Sequence, residues 1–180
     1  MMPIRLLLVD DQTMFRDGLR TLLSVQPGCE VVGEAANGEE AVRLVGTHHP
    51  QVVLMDVRMP VLDGVAATRK LHTTHPECRV IVLTTFDDDE YVFEALRAGA
   101  VGYLLKDAPS QKLFEAIRAA ARGESFLQPS VAAKVVAEFT RLANSAPAQP
   151  QSLPDPLSER EIEILRWVAL GHSNREIAAQ

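Results

Sequence analysis

Short apolar runs alternate with longer amphipathic stretches five times along roughly the first two thirds of the chain. Residues 5–9, 30–35, 52–55, 79–84 and 102–105 are rich in Val, Ile and Leu and show little polar alternation. Parallel strands covered on both faces have this texture, so five strands are predicted there. Helix-length stretches separate them. The first covers about 13–25, with Phe15, Leu19, Leu22 and Leu23 at helical spacing. The second opens at Asn37, whose side chain can cap a helix while Glu40 stands three residues on. Further helices are predicted over about 63–75, 88–98 and 110–122, with Gly99 stopping the fourth.

Five strand–helix repeats require a parallel sheet with right-handed crossovers and helices on both faces. The fold class is therefore α/β, a doubly wound five-stranded parallel sheet. Ligands of such sheets sit beyond the carboxyl ends of the strands, where the strand order reverses.

The texture changes after Gln128. Residues 130–144 suit a helix, with Val131, Val135, Val136 and Phe139 apolar. Residues 145–156 hold four of the eleven prolines and no apolar period, as a linker does. Ser158-Glu159-Arg160-Glu161 is a capping box ahead of Ile162, Leu165, Val168 and Ala169 at helical spacing, and Gly171 ends that helix. A second capping box, Ser173 to Glu176, opens another helix. The organisation predicted is a domain over 1–128, a helix and Pro-rich linker over 129–156, and an incomplete all-α segment over 157–180.

Composition narrows the class. Hydrophobic residues make up 47% and charged residues 23%, which excludes a disordered chain. No apolar run approaches the roughly 20 residues that span a bilayer. The run 4–9 is interrupted by Arg5 and meets Asp10 and Asp11, as a buried strand would and a signal peptide would not. Cys29 and Cys78 lack metal-ligand spacing and suit a reducing compartment, so a cytoplasmic location without membrane contact is expected. The net charge of −6 is spread without a basic patch: 13 Lys/Arg stand against 18 Asp/Glu over 1–128, 2 against 2 over 129–156, and 3 against 4 over 157–180. The chain as it stands should bind DNA poorly.

The candidate chemistry lies at the strand ends. Asp10 and Asp11 close the first strand, Asp56 the third, Thr84 the fourth and Lys106 the fifth. Three carboxylates at one sheet edge repel one another, so they require a cation or raised pKa values. Hard oxygen ligands in this number suit Mg²⁺, with Mn²⁺ as a substitute. A divalent ion, an ammonium and a hydroxyl around one carboxylate form a phosphoryl-transfer site, with Asp56 as nucleophile and Thr84 and Lys106 stabilising the phosphoryl oxygens.

Leu7-Leu8-Val9-Asp10-Asp11, Val53-Leu54-Met55-Asp56-Val57-Arg58-Met59-Pro60, Asp63-Gly64, Val82-Leu83-Thr84 and Gly102-Tyr103-Leu104-Leu105-Lys106 resemble the signature of two-component receiver domains over about 3–125. The resemblance implies a flavodoxin-like (βα)5 receiver whose Asp56 takes phosphate from a cognate histidine kinase. It implies Mg²⁺ on Asp10, Asp11, Asp56 and the backbone carbonyl of Arg58, with Pro60 and Gly64 shaping the following loop. It further implies a switch in which Thr84 moves toward the phosphoryl group and Tyr103 turns inward, with Thr85 controlling access. Many receivers carry a cis proline after the lysine; here Asp107 follows Lys106. A cis bond before a non-proline costs about 2.5–4 kcal/mol, so a trans peptide is expected.

The Lys-Asp pair resembles the NarL/FixJ-type subgroup, which implies a homodimer formed on phosphorylation through the first and fifth helices. Leu19, Leu23, Leu113, Phe114, Ile117 and Ala121 could supply both core and interface there, about half of them going to the core. Asp87-Asp88-Asp89-Glu90 suits the start of the fourth helix. Leu157 to Glu161 and Gly171 to Ala178 resemble the opening of a LuxR-type helix-turn-helix domain. Its recognition helix, through which DNA would be bound, would lie beyond residue 180. A segment of 24 residues is too short to fold alone, so it is expected to be disordered or docked, with Ile162, Leu165, Trp167, Val168 and Ile177 needing cover.

Two other classes compete with a transcriptional switch. A phosphatase of the haloacid dehalogenase type also uses Asp, Mg²⁺, Thr and Lys, but needs a second Asp two residues after its nucleophile, and Asp10-Asp11 lacks that spacing. An unphosphorylated receiver serving as a scaffold would not need the intact acidic set.

Overall fold

The computed structural model describes residues 2–85 and 89–145. The five apolar runs are strands β1 (Ile4–Val9), β2 (Cys29–Ala35), β3 (Val52–Asp56), β4 (Arg79–Thr84) and β5 (Gly102–Leu105). Helices α1 (Thr13–Ser24), α2 (Gly38–His48), α3 (Gly64–Thr74), α4 (Asp89–Arg97) and α5 (Ser110–Ala121) follow them in turn. A further strand, β6 (Phe126–Leu127), and a helix, α6 (Pro129–Ser145), come after. Asp87 and Asp88, the linker after residue 145 and the whole of 157–180 lie outside the described residues.

The sheet is parallel, in the order β2-β1-β3-β4-β5-β6. It has six strands, which corrects the expected five. β6 is only two residues long, pairing Phe126 with Gly102 and Leu127 with Tyr103. Two residues carry no measurable period, and what makes them a strand is a neighbour remote in sequence.

Strict alternation along each strand sends side chains to opposite faces. Leu6 and Leu8 of β1 join Val52, Leu54, Ile81, Leu83 and Leu104 on one face, covered by α1 and α5. Leu7 and Val9 join Val53 and Met55 on the other, covered by α2 and α3. A third cluster on that second side packs Val82 and Tyr103 against Val92 and Ala95 of α4 and against Val131 of α6. The chain divides into two compact units, Met1–Glu138 and Phe139–Gln180, so the buried Val131 belongs to the first.

Local signals set the helix starts. The Asn37 side chain accepts from the Glu40 N–H at 2.9 Å, while the Glu40 carboxylate accepts from the Ala36 N–H at 2.9 Å. This is a capping box shifted back by one residue. Asp63 caps α3 by accepting from the Ala66 N–H at 2.7 Å. All peptide bonds among the described residues are trans, including the one after Lys106.

Candidate functional site

The strand order reverses between β1 and β3, since β1 feeds leftward to β2 while β3, β4 and β5 run the other way. The carboxyl ends of these two strands hold the acidic residues. One carboxylate oxygen from each of Asp10, Asp11 and Asp56 lies within 4.8 Å of the others. Asp10 and Asp56 are buried and Asp11 is exposed, so the cluster opens to water on one side.

Asp10 is fixed from three directions. Its side chain accepts from the Gln12 N–H at 2.9 Å, the local turn that an Asp forms with backbone two residues on. Its carbonyl accepts from Arg16, whose Nε stands 3.5 Å from a Glu34 carboxylate oxygen on β2. Its other carboxylate oxygen lies 2.5 Å from Lys106 Nζ. Lys106 Nζ also stands 3.4 Å from Asp56 Oδ1 and 4.5 Å from the centre of the Phe15 ring. The lysine reaches the cluster from the end of β5, where its own N–H donates to the Thr84 carbonyl at 2.8 Å.

Burial pushes the Asp56 carboxyl up from the usual carboxylate range to about 6. Loss of water is the largest cause, and the charge of Asp10 acts the same way. Lys106 and the Val57 N–H, which favour the ionised form, offset part of this. Repulsion between acids was the reason the sequence offered for a raised pKa; desolvation is the larger one here.

The loop after Asp56 is tightly held. Val61 sits at φ +70°, a region unfavourable for a β-branched residue, inside a turn closed by the Leu62 N–H donating to the Pro60 carbonyl at 2.8 Å. The Leu62 carbonyl accepts from the Gly38 N–H at 2.9 Å, and the Gly64 N–H donates to the Val57 carbonyl at 2.9 Å. The Arg58 guanidinium turns away to α4, donating to the Tyr91 hydroxyl at 3.0 Å with its carbon 4.9 Å from the ring centre.

Thr84 is fully buried at the end of β4, and Thr85 beside it is exposed. Tyr103 is fully buried as well. Its register partner is Val82, which places it on the same sheet face as Thr84, one diagonal step away. Leu19, Leu23, Leu113 and Ile117 are buried beneath α1 and α5 against the sheet, and only Phe114 and Ala121 of that group are partly exposed. A mostly apolar groove of about 470 Å³ runs beside them, lined by Met14, Phe15, Leu22 and Ala108 among others.

Nothing in the sequence pointed to the contacts of Arg16, Glu34 and Tyr91, nor showed that Phe15, an apolar position of the first helix, would face Lys106. Their roles depend on contacts between elements, for which a one-dimensional pattern carries no signal.

Against known proteins, residues 6–118 match the family described as the response regulator receiver domain. Residues 155–180 match the one described as bacterial regulatory proteins, luxR family. The chain is 43% identical over 175 residues to an uncharacterized transcriptional regulatory protein, YxjL, of Bacillus subtilis, covering 97% of this chain and 79% of that one. A crystal structure of a LuxR-family two-component response regulator from Aurantimonas is similar at a TM-score of 0.72 and 33% identity, over 77% of this chain and 99% of that one. The receiver domain of NarL from Mycobacterium tuberculosis is similar at 0.66 and 34%, over 69% of this chain and all of that one, 100%. The chain therefore belongs to the two-component response regulators of the NarL type, in which a receiver domain precedes a LuxR-type DNA-binding segment.

Proposed function

We propose that Asp56 accepts a phosphoryl group from a histidine kinase, and that its phosphorylation controls DNA binding and transcription in the full-length protein. One observation carries this: the Asp56 carboxylate ends β3 within reach of Asp10, Asp11 and the Lys106 ammonium. A carboxylate oxygen of Asp56 attacks phosphorus, an O–P bond forms as the donor's N–P bond breaks, and the electron pair leaves on the donor nitrogen. Lys106 neutralises charge on the phosphoryl oxygens, and the Thr84 hydroxyl donates to one of them. In this reading the receiver catalyses a single transfer onto itself rather than turnover of a substrate.

Two buried carboxylates and one exposed fit a hard cation that keeps several waters, which favours Mg²⁺ with Mn²⁺ as substitute. Asp10, Asp11, Asp56 and the Arg58 carbonyl would hold it. Bound there, it supplies neutralising charge to the transferring group.

Thr84 and Tyr103 form the switch in this reading, since they share a sheet face and are both buried. The domain limits are 1–128 for the receiver, 129–156 for helix and linker, and 157–180 for the start of the helix-turn-helix domain, which contacts DNA. Phosphorylation drives a homodimer, for which Phe114 and Ala121 keep side-chain surface on the face of α1 and α5. Among the described residues no helix is long and apolar enough to cross a membrane, and the response-regulator family match supports a cytoplasmic location.

Incubation with acetyl phosphate and Mg²⁺ tests the proposal by intact-mass measurement. One stable phosphoryl adduct, absent from Asp56→Asn, is the expected result. Continuous phosphate release would point to a phosphatase, and no uptake would point to a scaffold.

A further inference from the structure

The Lys106 ammonium is almost fully buried, its side chain only 5% exposed, and among the described residues an aromatic ring flanks it besides the two acids. Asp10 and Asp56 take two sides, and the face of Phe15 stands 4.5 Å away. Phe15 lies in the first turn of α1 and also lines the apolar groove between α1 and α5. We propose that Phe15 is a positioning residue for phosphoryl transfer, its ring holding the Lys106 ammonium at the acceptor site. The proposal rests on the reading above, in which Lys106 stabilises the phosphoryl group.

An ammonium has three N–H donors and no acceptor. A third carboxylate beside it would neutralise it further and weaken its hold on an incoming phosphoryl group. Open water would let the flexible four-carbon stem swing away. An aromatic face attracts the cation through its quadrupole, excludes water and adds no formal charge. Lys106 is therefore localised without a further acid to neutralise it before the phosphoryl oxygens arrive. Asp10, the nearer of its acids at 2.5 Å, pulls it off the Asp56 side, and the ring provides an attraction that competes with neither acid for N–H donors.

The test compares Phe15→Leu, which keeps an apolar side chain of similar bulk, with Phe15→Tyr, which keeps the ring. Initial rates of phosphorylation by acetyl phosphate with Mg²⁺ are read for both. Phe15→Leu is expected to be about five- to tenfold slower, and Phe15→Tyr within about twofold of the parent. Equal rates in parent and Phe15→Leu would overturn the proposal, as would equal losses in both variants, which would mean a purely structural role. A second readout needs neither metal nor phosphate: the Lys106 Cε and Nζ proton resonances should be shifted upfield by the ring in the parent and in Phe15→Tyr. Absence of that shift in the parent overturns the proposal even if Phe15→Leu fails to fold. Labelling of Asp56→Asn in parallel would instead count against the acceptor reading itself.

Discussion

A Cβ placed on Gly64 would lie 1.9 Å from the carbonyl oxygen of Asp56. The first residue of α3 thus presses its backbone directly on the backbone of Asp56, and its N–H completes the turn by donating to the Val57 carbonyl. No side-chain rotation can relieve such a clash, because both partners are main chain. Gly64→Ala should therefore destabilise the receiver by about 3 kcal/mol or more and move the Asp56 carboxylate off its mark. Urea unfolding and the phosphorylation rate should both register the change.

Val61 offers the opposite experiment. It occupies the left-handed region at φ +70° with its side chain largely exposed, so little packing is at stake. Glycine at this position relieves strain of about 1–3 kcal/mol and raises the entropy of the unfolded chain by a smaller amount. Val61→Gly should stabilise the protein by about 1 kcal/mol, read as a higher urea midpoint with an unchanged slope. A lower midpoint would show that the loop draws stability from the valine side chain.

Asp56 titrates near 6 in the folded protein, above the ordinary value of 3.8, because burial disfavours its charge. A raised carboxyl pKa means that the native state holds its proton more tightly than the unfolded chain. Its contribution to stability is present in full below pH about 4 and is lost as pH rises through about 6. Replacing the charge should thus help at neutral pH and do little in acid. Without divalent ions, Asp56→Asn should be more stable than the parent by roughly 2 kcal/mol at pH 7.5. That advantage should vanish near pH 4. Paired urea titrations at the two pH values decide it; an advantage that grew in acid would reverse the assigned shift.

Asp11 is exposed, lies in the carboxylate cluster and makes no ion pair among the described residues. Its conversion to Asn removes a repulsive charge and costs the metal-free fold little. It should nevertheless abolish the stabilisation that Mg²⁺ confers on the parent, which at a hundred times the dissociation constant amounts to about 2.7 kcal/mol. Thermal unfolding with Mg²⁺, and again after EDTA, measures both terms. A Mg²⁺ shift that survived in Asp11→Asn would remove this carboxylate from the ligand set.

The first five strands, their helices and the placement of Asp10, Asp11, Asp56, Thr84 and Lys106 at strand ends were legible in the chain itself. Parallel strands buried on both faces must be continuously apolar, as β3 is from Val52 to Met55 before its final Asp56, and such runs are visible without coordinates. The acidic residues stood out because they interrupt those runs at fixed places. Other features depended on packing. β6 exists only because β5 offers it backbone partners. The apolar residues of α1 and α5 could have faced sheet or solvent by spacing alone; packing buried Leu19, Leu23, Leu113 and Ile117 and left Met14 exposed. The contact of Lys106 with Phe15 and the hold of Arg16 on the Asp10 carbonyl join different elements. Periodicity records which side of an element is apolar, a local property of the chain. It cannot record which side chains meet across elements or how much water each loses, and those two quantities set the electrostatics of the site.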